Sequence, residues 1–432
     1  MIWPFPLRER FVQFVSTRFP SPRGLRPFWW PLEAKGWQWI EAGKDVPEFN
    51  ERTVRQQRHH SIFRLTKHKE KTILSTKTMN DPKRTFAQRL AQARKMRGLS
   101  LRALAGKLAG RISHNALHKY ERAQMMPDSE VLIALADALD QDVDFFFRAP
   151  SLELKELQFR KASRLGVREE EAIRERAVDY FERHREIEEL LGIASQFKNP
   201  LADSSVRRGD EVEEAAGKLR EEWRLGEDPL PNVREMLESK GIMMFEVDAP
   251  ESFNGFAGRA DGHPAIVLAK WLDRDLPRKR FTALHEVGHL LLKFPPDMAS
   301  KDQETLCHRF AGAMLIPRRV FTAEFGGHRQ HVSLAELANL KARYGLSIAA
   351  LMHRALDLEL ITPAMYRRFC IVSRQKGWHK QEPGDYAGRE SSGRFEQLVV
   401  RAASEAVISE SKGAALLNEP FADFRERLAG VE

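Results

Sequence analysis

Two histidines four residues apart constrain this chain more than any other feature. His285 and His289 sit in the run FTALHEVGHLLLKF, and four residues along an α-helix bring a side chain back to the same face. The flanking Phe281, Leu284, Leu290, Leu291 and Leu292 predict a buried helix. Two imidazoles and the intervening Glu286 are costly in such a setting unless a ligand engages them. A metal ion suits two converging imidazoles, and zinc would lower the pKa of a bound water to about 7. Glu286 is placed to take that water's proton and to deliver it to a leaving amine.

A catalytic zinc commonly holds three protein ligands. Glu304 is the candidate for the third, opening a second predicted helix, ETLCHRFAGAMLIP, whose Leu306, Phe310, Ala313 and Met314 can pack against the first. Its alternative is a carboxylate favoured at a helix N-terminus by the macrodipole. His308, one turn on, could ligate, orient Glu304 or stabilise an oxyanion. Cys307 is a softer ligand candidate, although its neighbours suggest packing.

With 432 residues the chain has room for several cores, and 42% hydrophobic with 30% charged residues is the balance of a soluble globular protein. No apolar run reaches the 18 or so residues of a membrane span, so no membrane partner is expected. Cys307 and Cys370, the only 2 cysteines, cannot build a disulfide framework, which makes the cytoplasm the expected compartment. Residues 1–79 hold 15 Lys+Arg against 7 Asp+Glu (+8), residues 80–150 hold 12 against 8 (+4), and the rest carries −3 of the total +9. The overall basicity is therefore weak evidence for nucleic acid, and the +4 segment is the more telling one.

Along the chain, residues 1–79 are a basic extension rich in Pro and Trp without sustained periodicity. Two readings stand for it: a non-structural extension, or residues upstream of a true start at Met79. From Thr85, capped amphipathic segments follow one another. Phe86, Leu90, Ala93 and Met96 form one helical face, Ser100 and Ser113 can cap the next two helices, Val131 to Leu139 build a fourth, and Val143 to Phe147 a short fifth. Residues 151–192 are highly charged and are expected to be exposed helices linking domains, with self-association as a second reading. From Asp210 an α+β pattern begins, with strands IMMFEV, Phe253 to Ala260 and Ala265 to Ala269, the last two joined at the hairpin signal Asp261-Gly262.

Two resemblances rest on these motifs. TFAQRLAQARKMRGLSLRALAGKLAGRISHNALHKYERAQMMPDSEVLIALADALDQDVDFFF resembles the XRE-type, phage-repressor-like helix-turn-helix regulators. The stretch from about Asp210 to Arg354 resembles the ImmA/IrrE family of zinc metallo-endopeptidases through FNGFAGRADGHPAIVL, FTALHEVGHLLLKF and ETLCHRFAGAMLIP. The second resemblance implies a Zn²⁺ cofactor held by His285, His289 and Glu304, with Glu286 as catalytic base. It also implies a repressor-like regulatory protein as substrate. His308 departs from the family's usual Asn or Asp, which bears on the support of the ligands rather than on the ligands themselves. The tail, with YGLSIAALMHRALDLELIT, GWHKQEPGDY and VISESKGAALL, resembles the C-terminal extension of fused regulators of this kind.

In a helix-turn-helix the recognition helix presents its N-terminal residues to base edges, here Ser113, His114 and Asn115, with His118 and Lys119 further along. Arg102, Lys107 and Arg111 are phosphate-contact candidates, and Tyr120 and Glu121 are expected to close the helix against its neighbours. The expected fold is multidomain and mainly α. It comprises the extension (1–79), a five-helix λ-repressor-like helix-turn-helix domain (80–150), a charged helical linker (151–205), an α+β zincin-like domain (206–360) and a helical C-terminal extension (361–432). The expected function is a bacterial, sequence-specific transcriptional regulator that binds double-stranded operator DNA as a homodimer and carries a zinc-dependent endopeptidase. The alternative is a regulator whose peptidase-like domain is a non-catalytic ligand sensor.

Overall fold

A computed structural model describes residues 81–149, 165–193 and 197–429, together with one antiparallel pair, Leu25–Arg26 with Ile40–Glu41. Met1–Met79 is a unit of its own, and apart from that pair the extension lies outside the described residues.

Local capping explains the first helices. Asp81, Ser100, Ser113 and Asp128 each adopt an extended backbone and accept a hydrogen bond from a first-turn amide, starting α1 (Pro82–Met96), α2 (Leu101–Lys107), α3 (His114–Glu121) and α4 (Ser129–Leu139). A short 3-10 helix, Val143–Phe147, closes the set. Phe86, Leu90, Leu104, Leu117, Leu135 and Phe146 form its core.

The charged segment corrects an expectation. Rather than a solvated linker, its ordered part is one 24-residue helix, α5 (Val167–Leu190), with Ile173, Ala177, Phe181 and Ile187 buried. Some of its charged side chains are buried as well, and those facing the first helices meet partners from a distant segment. Glu182 accepts from Arg89 of α1 at 2.5 Å, Arg148 reaches Asp179, and Arg176 Nε donates to the Met96 carbonyl at 2.8 Å. The apolar stripe that suggested self-association is used up within the chain.

Further along come α6 (Gly209–Glu222), α7 (Val233–Ser239), β1 (Met243–Val247), β2 (Gly255–Ala260) and β3 (His263–Ala269). The predicted hairpin is present, with Asp261 and Gly262 both in the left-handed region (φ 48° and 79°) and β2 antiparallel to β3. β1 pairs in parallel with β3 instead of beside β2, giving the order β1-β3-β2 with β3 central. One sheet face packs on Ile173, Ala177 and Phe181 of α5. The other contributes Met244, Ile266 and Leu268 to the core that holds Leu284 and Val287 of α8 (Leu276–Leu291).

Helices complete the chain: α9 (Ser300–Leu315), α10 (Arg318–Phe325), α11 (Leu334–Tyr344), α12 (Ile348–Asp357), α13 (Pro363–Gln375), α14 (Arg394–Ser404), α15 (Glu410–Leu417) and α16 (Phe421–Leu428). Two carboxylates from the segment between α13 and α14 fasten it to the rest. Glu390 accepts from Val233 N (2.8 Å) and Arg234 N (3.1 Å) at the start of α7, and pairs with the fully buried Arg280 of α8. Glu382 accepts from Ile348 N (2.7 Å) and Ala349 N (2.9 Å) at the start of α12. Among the described residues no helix is long and apolar enough to cross a membrane.

Candidate metal centre and nucleic-acid interface

Helices α8 and α9 pack closely because Gly288 has no side chain. A Cβ there would lie 3.2 to 3.3 Å from the Sγ, Cα and Cβ atoms of Cys307, tighter than the neighbour tolerates without moving. This approach brings residues of the two helices to one point. His285 Nε2 and His289 Nε2 are 3.0 Å apart, and the Glu304 carboxylate oxygens stand 3.2 Å from the first and 3.4 Å from the second. Among the described residues, these are the three that could jointly hold a metal ion, with ligand atoms within 4.8 Å of one another.

The donor set fits zinc. Tetrahedral zinc with donors at roughly 2.0 to 2.1 Å requires donor atoms about 3.3 to 3.4 Å apart, and the three observed separations straddle that spacing. Two imidazoles and a carboxylate are also the borderline-hard donors zinc accepts. Glu286 is buried on the same helix, between the two histidines in sequence.

Two neighbours support the histidines. Cys307 Sγ lies 3.1 Å from His289 Nδ1, which leaves the opposite ring nitrogen directed at the shared point. The thiol therefore serves to orient a histidine rather than to join the donor group. The sequence offered a small, buried residue one turn from Glu304, and the role became visible only once Gly288 placed it against the ring. His308 does not join the donor group either. Its ring stacks on His285 (centroids 4.4 Å) and also lies near-parallel to Phe281 (5.9 Å). Desolvation and then the His285 ring lower its pKa to about 4, so it is a neutral imidazole that props its neighbour, with one edge still open to solvent.

The position of Glu304 also differs from expectation. α9 begins at Ser300, so Glu304 lies in the second turn rather than opening the helix. The macrodipole acts mainly within the first turn, which removes that alternative account of the carboxylate.

The nucleic-acid candidates sit on the opposite kind of surface. Arg102, Arg111, Ser113, His114, Asn115, His118 and Lys119 are all exposed. Ser113 is partly engaged, since its hydroxyl accepts from Ala116 N at 3.2 Å as the α3 cap. The two residues expected to be structural are so: Tyr120 is buried edge-on to Phe86, and both Glu121 carboxylate oxygens accept from Arg94, at 2.6 and 3.0 Å.

Comparison with known families covers both regions of the chain. Residues 90–146 match the family model described as helix-turn-helix, and residues 237–356 match that of the IrrE N-terminal-like domain, a peptidase family. The chain joins a helix-turn-helix domain to an IrrE-like domain. No curated protein matches the chain. The IrrE-like match spans β1 to α12 and so contains His285, Glu286, His289 and Glu304, while the helix-turn-helix match contains every base-contact candidate on α3.

Proposed function

We propose that this chain is a sequence-specific DNA-binding regulator whose IrrE-like domain is a zinc-dependent endopeptidase acting on a repressor-like regulatory protein. The observation that carries the proposal is the convergence of His285, His289 and Glu304 at zinc spacing, with Glu286 buried beside them. Zinc bound there would polarise the scissile carbonyl and acidify a water. Glu286 would serve as the base that takes a proton from the attacking water and as the acid that returns it to the amine as the C–N bond breaks. Cys307 and His308 hold the two imidazoles in place throughout.

On the DNA side, Asn115 and the N-terminal residues of α3 read base edges, and Arg102 and Arg111 hold the backbone. A palindromic operator requires two heads, so the proposal includes a homodimer, formed through a surface other than the apolar stripe of α5.

The test is zinc content per chain together with cleavage. One zinc in the wild type, much less in Glu304→Ala, and retained zinc with abolished cleavage in Glu286→Gln is the expected result. Absence of zinc in protein purified without chelator would overturn it. Regulation that persists in Glu286→Gln but is lost when the pocket is blocked by substitution would instead favour a non-catalytic sensor.

A further inference from the structure

Helix α13 carries an unusual surface. Residues 363–380, PAMYRRFCIVSRQKGWHK, contain five cations, Arg367, Arg368, Arg374, Lys376 and Lys380, and no carboxylate. All five are exposed. Elsewhere in the molecule arginines are commonly tied to carboxylates, as at Arg319–Glu227 or Arg343–Glu324, yet none of these five makes an ion pair among the described residues. Like charges crowded on one helix face repel one another.

The face is also not purely basic. Ala364, Arg367, Arg368, Ile371, Arg374 and Gln375 recur at helical spacing, all exposed, so that Ile371 (57% exposed) stands between Arg367 and Arg374. No residue of α13 is fully buried, and Met365, Tyr366 and Phe369 provide its inner contacts with the core.

Location ties this surface to the metal centre. α9, which bears Glu304 and His308, packs against α12, and α12 packs against α13. The Tyr366 ring of α13 meets His353 of α12 edge-on, with centroids 5.6 Å apart.

We infer that the exposed face of α13 is a docking surface for an acidic segment of the protein substrate, with an apolar residue of that segment seated on Ile371 between the arginines. This deepens the endopeptidase reading and rests on it. Charge complementarity selects a polyanion, and the exposed isoleucine favours a polypeptide over a phosphate backbone, which brings no aliphatic side chain to cover it. Arginine forks also match carboxylates bidentately. Recognition outside the bond to be cut spares the cleft from carrying all of the specificity, since binding energy from remote parts of a substrate can position the reacting part.

The experiment uses the full-length, zinc-loaded chain in the Glu286→Gln background, so that the probe is not digested. Fluorescence anisotropy follows a labelled peptide of glutamates around a central leucine, its glutamine counterpart and a DNA duplex. Three proteins are compared: the background itself, Arg367→Glu with Arg368→Glu and Arg374→Glu, and Arg102→Glu with Arg111→Glu and Lys119→Glu. The expected result is a loss of about tenfold or more in acidic-peptide affinity in the α13 variant alone, weak binding of the glutamine peptide, and loss of duplex affinity in the helix-turn-helix variant alone. Equal acidic-peptide binding by both variants overturns the inference. So does duplex affinity lost from the α13 variant, which would make the face a nucleic-acid surface. Ile371→Ser, which leaves every charge in place, should weaken the acidic peptide, and an unchanged affinity removes the apolar seat. Zinc content and cleavage by the wild type are read separately, so failure of the endopeptidase reading is distinguishable from failure of this one.

Discussion

Helix α3 and helix α8 both carry candidate functional residues, and they carry them in opposite ways. On α3 the candidates point into solvent and are held only by the fold beneath them, through a serine cap, a buried tyrosine and the Arg94–Glu121 fork. On α8 they point inward and are held by one another, by a thiol and by a stacked ring. A surface that reads DNA must be free to meet a partner of its own size, whereas a site that binds an ion must bring several donors to one point. The lesson is that substitutions on α3 should alter recognition without altering stability, while those around α8 should propagate to neighbouring side chains.

The largest effect is expected where α1, beneath the DNA-reading surface, is fastened to α5. Arg89 and Glu182 are fully desolvated, so Arg89→Met should destabilise urea unfolding by about 3 to 5 kcal/mol, whereas pairing it with Glu182→Leu should restore most of that loss. A neutral single substitution would mean that the helix-turn-helix domain and α5 are energetically independent.

Acid should loosen the molecule at a second point on the same helix. Burial, with Arg394 and Arg185 nearby, lowers the His184 pKa to about 4 from 6.5. The ring is therefore neutral when folded, and its contribution is present above pH 6.5 and lost as the pH falls toward 4, to the extent of about 3 kcal/mol. His184→Leu should flatten the difference between unfolding midpoints measured at neutral and acid pH, and an unaltered difference would assign the acid sensitivity elsewhere.

Around α8, Cys307→Ala should weaken zinc binding by about 10- to 100-fold, as removal of an orienting partner does, and Cys307→Ser should recover part of it. Competition with a chelator measures this. Equal affinities for all three proteins would reduce the thiol to packing. The smallest effect belongs to α3. Asn115→Ala should change stability by no more than about 0.5 kcal/mol while relaxing discrimination at one base pair of a selected operator. A large stability change there would break the comparison itself.

What could be read from the sequence follows the same division. Caps at Ser100 and Ser113, the Asp261-Gly262 turn and the His285–His289 spacing are local signals, each decided within a few residues. The burial of α5 was not legible, because the charges of that segment look solvated until Arg89, Arg148 and the Met96 carbonyl arrive from elsewhere in the chain. The clasp made by Glu390 and the parallel partnership of β1 with β3 were hidden for the same reason. At the metal centre the donors were visible in the spacing, but the roles of Cys307 and His308 depended on how closely two helices approach at Gly288.

The buried pair between Arg89 and Glu182 also limits how such a chain can be reassembled over evolutionary time. Its members lie 93 residues apart, on either side of the segment where a recombination event would most simply exchange one DNA-reading head for another. A crossover there separates the arginine from its carboxylate, and Arg148 from Asp179 with it. A new head must therefore bring its own matching residues or inherit α5 along with the domain, so the unit of exchange reaches through α5 and is longer than the helix-turn-helix itself.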